Sequence, residues 1–277
     1  MLSRRKFVED ILLEDIGRGD LFSLCVFQTP ATAHIIAKED GVLAGLVYAI
    51  ELEEIAGITI EFKHQDGSYI KKGDLIAIVS GTQAKLLSIE RTLLNMIQHA
   101  SGIATKANAF IVLLDNSGIK ILDTRKTRPL LRKFEKYAAR VGGVVNHRMG
   151  LDDCLMLKDT HLKTIKDIPT FIKHARTQIP FTSKIEMECE TLEQVEMALL
   201  CKVDIIMCDN MSIDMIKKAV NLRDNSGIST LLEASGNITL DTVSAYIESG
   251  IDALSSGSIV HQASWLDFSM KMQIGRA

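Results

Sequence analysis

The sequence predicts an α/β protein: a segment rich in short strands, then a long helix, then a series of βα units whose parallel strands close, or nearly close, into a barrel. Three observations carry that prediction. Residues 31–81 hold runs such as AHIIAKEDG, ITIEFKHQDG and DLIAIVSG, apolar or alternating between Gly and Asp turns. From Lys85 to Leu114 apolar residues recur every three or four positions, the spacing of one helix face. Beyond that point KILDTRKT, LMLKDTH, KIEMECET, DIIMCDNM, TLLEASGN and DALSSGS each end in a polar or glycine-rich cluster that leads into a helical stretch.

At the N-terminus FVEDILLEDI places Phe7, Ile11, Leu12 and either Asp15 or Ile16 near one face of an amphipathic helix. In the strand-rich segment, DGSYIKKGDLIAIVSG is similar to the turns of lipoyl-carrier sheets, but it lacks a lysine between small or acidic residues at a hairpin tip, so a structural role is expected. The βα series is regular. Asp123, Lys158, Glu188, Asp209, Ser235 and Gly257 follow one another at intervals of 35, 30, 21, 26 and 22 residues, which are βα unit lengths.

Composition excludes several function classes. With 277 residues, 47% hydrophobic and 24% charged, the chain can bury a sizeable core, and a net charge of −3 gives no global attraction for nucleic acid or an anionic membrane. The longest apolar run, GVLAGLVYAI, is about half of the roughly 20 residues that a spanning helix needs. Acidic residues interrupt the stretch after MLSRRKF where a signal peptide would be apolar, so a mature N-terminus is expected. Five scattered cysteines, with no CxxC pair, fit a reducing cytoplasm.

In a βα barrel the C-terminal ends of the strands converge on one face. That face would collect Arg125, Lys126 and Arg128 after the first strand, His147 and Arg148 after a GG turn, and Lys158 after LML. Guanidinium forks match carboxylates and phosphates, and lysine adds a compact charge, so a substrate with several anionic groups is implied. Glu188 and Asp209 close KIEME and IIMCD, and two hard-oxygen ligands beside phosphates suit Mg²⁺. Alternatively, each carboxylate pairs with a neighbouring lysine. EASGN and SSGS close the last two units, where backbone N–H groups and a helix start can hold phosphate. These residues alone leave the reaction open, since an aldolase using Lys158 as a Schiff base would present much the same set.

Taken together, ERTLLNMIQHASGIAT, DTRKTRPLLR, KYAARVGGVVNHRMGLDDCLMLKDTH, KIEMECETLEQ, IIMCDN, EASGN and DALSSGSIVHQ make the chain resemble the quinolinate phosphoribosyltransferases over nearly its whole length. The resemblance implies phosphoribosyl transfer from phosphoribosyl pyrophosphate to quinolinate with decarboxylation, giving nicotinate mononucleotide for NAD biosynthesis, with Mg²⁺ as cofactor. It implies an open α/β sandwich over residues 1–104, joined by the tail 264–277, and an incomplete βα barrel over 105–263. A homodimer or higher homo-oligomer is implied, in which Arg91 reaches the neighbouring pocket. Thr124, Arg125, Lys126, His147, Arg148 and Lys158 match the substrate-binding set. Glu188 and Asp209 match the acids that face the ribose hydroxyls and the metal. Ser235, Gly236 and Asn237, then Ser256, Gly257 and Ser258, match the phosphate loops, with His261 after them. Lys126, Lys158, Glu188 and Asp209 are the expected catalytic groups. The chain departs from the family pattern at Val144 or Val145, Thr160 and Asn237, which puts loop geometry in question. A nicotinate phosphoribosyltransferase would act on one carboxylate and need fewer cations; a pure binding module would have little use for the acid pair.

Overall fold

The structure is a computed structural model and describes residues 3–273. Its chain divides into two compact units, one comprising the residues up to Asn108, Val141–Gly143 and the segment from Ala263, the other Ala109–Arg140 and Val144–Gln262. None of the helices among the described residues is long and apolar enough to cross a membrane.

The first unit opens with α1 (Arg4–Ile16), started by Ser3, whose hydroxyl accepts the Lys6 N–H at 3.1 Å. Val8 is its fully buried residue and the Phe7 ring meets Tyr48 edge-on at 5.6 Å, so the buried stripe is narrower than the apolar spacing suggests. Next come β1 (Pro30–Ala37), β2 (Gly41–Val42), α2 (Leu46–Ala56), β3 (Thr59–Phe62), β4 (Tyr69–Ile70), β5 (Leu75–Thr82) and the 31-residue α3 (Gln83–Leu113). Ala33, Ile35 and Ala37 of β1 alternate into the core. One helix departs from the strand-rich reading: LVYAIELEEIA, bounded by Gly45 and Gly57 in positive φ, forms α2 and buries Leu46, Tyr48, Ala49 and Leu52. The run GVLAGLVYAI hides this helix because its first half, through Val42, pairs with β4.

Six strands build the second unit: β6 (Lys120–Leu122), β7 (Cys154–Leu157), β8 (Lys184–Cys189), β9 (Ile205–Asp209), β10 (Leu231–Ser235) and β11 (Ala253–Ser255). Between them lie α4 (Arg132–Val141) after β6, α5 (Asp159–Leu162) and α6 (Ile168–Gln178) after β7, α7 (Leu192–Leu200) after β8 and α8 (Ile213–Ser226) after β9; α9 (Ser258–His261) follows β11. The final strand, β12 (Phe268–Gln273), returns to the first unit, whose sheet runs β12-β1-β5-β3 with antiparallel pairs. In the second unit the order is β6-β11-β10-β9-β8-β7, every pair parallel, with β6 and β7 at the two edges. That is a partial barrel.

Strand residues two apart point the same way, so the inner faces of these strands read in layers. Lys184, Ile205, Leu231 and Ala253 line a cavity of about 570 Å³ at the strand starts. At the other end lies the cavity described next.

Candidate active site

A cavity of about 620 Å³ is lined by Thr124, Arg125, Lys126, His147, Arg148, Met156, Lys158, Glu188, Met207, Asp209, Asn210, Ser235, Gly236, Asn237 and Ser255. All six parallel strands, or the turns that follow them, contribute to it. Parallel pairing aligns the strand ends, as with Ser235 beside Asp209 and Cys189 beside Cys208, so positions far apart in sequence share one rim.

The first turn is held from below. Asp123, fully buried at the end of β6, accepts hydrogen bonds from the Lys136 ammonium, from Asn146 Nδ2 at 2.6 Å and from the His147 N–H at 2.8 Å. Burial pushes the Asp123 carboxyl up against the pull of Lys136, and burial pushes Lys136 down against the pull of Asp123. This pair ties the DTRK turn to the NHR segment. Thr124 Oγ1 accepts the Lys126 N–H at 3.0 Å, and the Arg125 Nε is buried without a partner among the described residues. Arg128 does not line the cavity; its backbone N–H and its Nη1 reach Glu135 at 2.9 and 2.6 Å.

Arg148 is pinned as well. Its Nη1 donates to Cys154 O at 3.0 Å and its Nη2 lies 3.3 Å from Met156 Sδ. The Lys158 ammonium bonds Glu188 Oε2, and Glu188 is 8% exposed. Asp209 Oδ2 accepts Asn210 Nδ2 at 2.7 Å, and Asn210 Oδ1 accepts Asn237 Nδ2 at 3.3 Å. Five cationic or potentially cationic groups, Arg125, Lys126, His147, Arg148 and Lys158, thus share a cavity with two carboxylates. Two carboxylates beside room for phosphates is the kind of donor set that holds Mg²⁺.

The loop after β10 is built for close approach. Gly236 has φ +100°, and a Cβ there would fall 2.9 Å from the Asn210 backbone N. Asn237 has φ +53°, a left-handed conformation that asparagine tolerates, so glycine is not required at this departure from the family pattern. Val144 is buried and Val145 pairs with Leu122, which absorbs the second departure into the fold; Thr160 is exposed on α5.

The loop after β11 behaves differently. Ser256 and Ser258 are buried, their hydroxyls directed at Ile238 O at 2.6 and 3.3 Å, and neither lines the cavity. Gly257 lies so close to Lys126 that a Cβ would come 2.7 Å from its Cδ and 3.2 Å from the His261 ring. His261 itself is exposed. Arg91 is exposed on α3 in the first unit and is not among the cavity residues.

Two residues were not singled out from sequence. Glu186 and Glu233 lie one strand repeat below Glu188 and Ser235, are 0% and 2% exposed, and face His147. The His147 Nε2 is 3.2 Å from Glu186 and 3.3 Å from Glu233. The alternation in KIEMEC and LLEAS carried the signal, because an acid two residues before a cavity residue points to the same face.

Comparison with known proteins identifies the family. Two family descriptions match, the N-terminal domain of quinolinate phosphoribosyl transferase over residues 20–101 and its C-terminal domain over 103–271. A probable nicotinate-nucleotide pyrophosphorylase (carboxylating) of Bacillus subtilis is 40% identical over 276 residues, covering 99% of this chain and 94% of the relative. One from Synechocystis is 37% identical, covering 96% and 91%. The crystal structure of NadC from Streptococcus pyogenes superposes with a TM-score of 0.92 at 40% identity, covering 99% of this chain and 98% of that one. The chain belongs to the quinolinate phosphoribosyl transferase family.

Proposed function

We propose that the chain transfers the phosphoribosyl group of phosphoribosyl pyrophosphate to quinolinate and releases pyrophosphate and carbon dioxide, leaving nicotinate mononucleotide. The observation that carries this reading is one cavity holding Arg125, Lys126, Arg148 and Lys158 together with Glu188 and Asp209. The cations answer the two ring carboxylates of quinolinate, and the acids answer the ribose side of the donor. Arg125, whose buried Nε has no partner among the described residues, has a donor to offer a carboxylate. Arg148 and Lys158 hold the ring so that its nitrogen faces the anomeric carbon. Carboxylate charge from Glu188 and Asp209 favours the cationic character that develops at that carbon as pyrophosphate departs. Ser235, Gly236 and Asn237 cradle phosphate. Once the nitrogen is bonded, the cationic ring stabilises the electron pair left by the departing carboxylate. Glu188 and Asp209 would hold Mg²⁺, which when bound offsets the negative charge of the pyrophosphate group.

Lys158 is bonded to Glu188 rather than set in the apolar surroundings that activate a Schiff-base lysine, which speaks against the lyase alternative. The test is an assay with quinolinate, phosphoribosyl pyrophosphate and Mg²⁺ that follows carbon dioxide and nicotinate mononucleotide together. Equimolar release of both supports the transferase; turnover of nicotinate in place of quinolinate overturns it.

The chain is further proposed to act in the cytoplasm as a homodimer or higher homo-oligomer, with Arg91 entering the neighbouring pocket. Exposed Leu21, Leu24 and Phe27 of the first unit, with Phe27 91% exposed, are the kind of surface a partner covers. Mixing Arg91→Ala with Lys158→Ala subunits would restore about a quarter of the activity, because half the dimers are hybrids with one intact pocket each. No restoration would overturn the shared site.

A further inference from the structure

His147 lines the cavity, yet both of its ring nitrogens are engaged within the protein. Nδ1 accepts the backbone N–H of Arg148 at 2.7 Å, and Nε2 faces Glu186 Oε2 at 3.2 Å and Glu233 Oε2 at 3.3 Å. A nitrogen that accepts an N–H carries no proton of its own, so the ring proton sits on Nε2 and points at the carboxylates. The two acids are deeply buried, and Glu233 Oε1 has no partner among the described residues. Buried carboxylates are costly unless they are paired and hydrogen-bonded. Here their use is visible, since they close a chain running from Glu186 and Glu233 through the imidazole to the Arg148 main chain, whose guanidinium is fixed by Cys154 O and Met156 Sδ.

We propose that Glu186 and Glu233 are positioning residues that lock the His147 ring and, through its Nδ1, set the main chain of Arg148 for the acidic substrate. His147 therefore acts as a strut, not as a ring-nitrogen contact to substrate or a proton carrier. This inference rests on the transferase reading for the identity of the substrate, but not for the geometry of the strut.

Two measurements test it. In wild-type protein labelled with ¹⁵N-histidine, the His147 resonances should report an unprotonated Nδ1 and a protonated Nε2 near neutral pH; the opposite arrangement, or protons on both nitrogens, overturns the strut whatever the enzyme does. In steady-state kinetics, Glu186→Met and Glu233→Met remove the acceptor while keeping the volume. Each should raise the KM for quinolinate by about tenfold or more and leave that for phosphoribosyl pyrophosphate within about twofold. Glu186→Gln and Glu233→Gln, which keep an acceptor oxygen, should stay within about threefold of wild type for both. Equal losses for the two substrates, or Gln variants as damaged as Met variants, would overturn the assignment. If the Met variants fail to fold, the labelled wild-type protein still decides.

Discussion

Along the inner faces of the six parallel strands, the strand ends and the layer two residues below carry opposite kinds of polar chemistry. At the ends Lys158, Glu188, Asp209 and Ser235 face a cavity, and their partners are few. In the layer beneath, Met156 and Met207 alternate with Glu186 and Glu233, both acids deeply buried and directed at His147. A second inner cluster, Asp123 with Lys136 and Asn146, lies behind the first turn. Polar groups on a rim that opens into the cavity are available to a ligand, whereas groups packed beneath it fix the geometry of the rim. The two regions should therefore respond differently to substitution.

The largest expected effect falls on the inner cluster and on stability. Lys136→Met leaves Asp123 buried without its counter-charge, which should cost about 3–5 kcal/mol in a denaturant titration, while the double variant with Asp123→Asn should recover much of it. The single variant's deficit should narrow as the pH is lowered. Its Asp123 would bind a proton more tightly folded than unfolded, so the folded state gains as pH falls and loses as pH rises. A deficit independent of pH would show that the charge was never the cause.

Next in size is the rim itself. Lys158→Ala should lower kcat/KM on the order of 10²–10³-fold and leave the unfolding midpoint close to wild type, because the ammonium is half exposed and its partner Glu188 lines the cavity, where solvent can take the place of the lost ion pair. A large loss of stability would erase the distinction between the two regions. The smallest effects sharpen it at the two serine loops. Ser235→Ala should raise the KM for phosphoribosyl pyrophosphate several-fold at unchanged stability. Ser256→Ala, which removes a buried hydrogen bond to Ile238 O, should cost about 1 kcal/mol and leave that KM alone. Interchanged outcomes would mean that the loop after β11 binds phosphate with its hydroxyls.

The same contrast explains what the sequence disclosed. Strand ends were legible because each apolar run stops at a charged or glycine-rich word, so Lys158, Glu188, Asp209 and Ser235 could be placed on one rim from spacing alone. The layer below was not. Glu186 meets His147 across 39 residues of chain, and no local pattern encodes which histidine a buried acid will find. Similarly, Ser256 and Ser258 read like Ser235 until packing turns their hydroxyls toward Ile238 O. Helix α2 was hidden for a local reason, since one apolar run serves a strand in its first half and a helix in its second.

The sheet of the first unit has its own consequence. Strand β1 lies between β5 and β12, and Ala37 is opposite Phe268 in the latter pairing, more than two hundred residues later in the chain. At roughly 5–20 residues per second of synthesis, the interval is about ten to forty-five seconds. Throughout that time one side of β1 has its backbone donors and acceptors unclaimed, an edge on which a neighbouring nascent chain could pair. The ribosome must therefore deliver Phe268–Gln273 before this sheet is sealed, and loss of β12 would reopen it to aggregation.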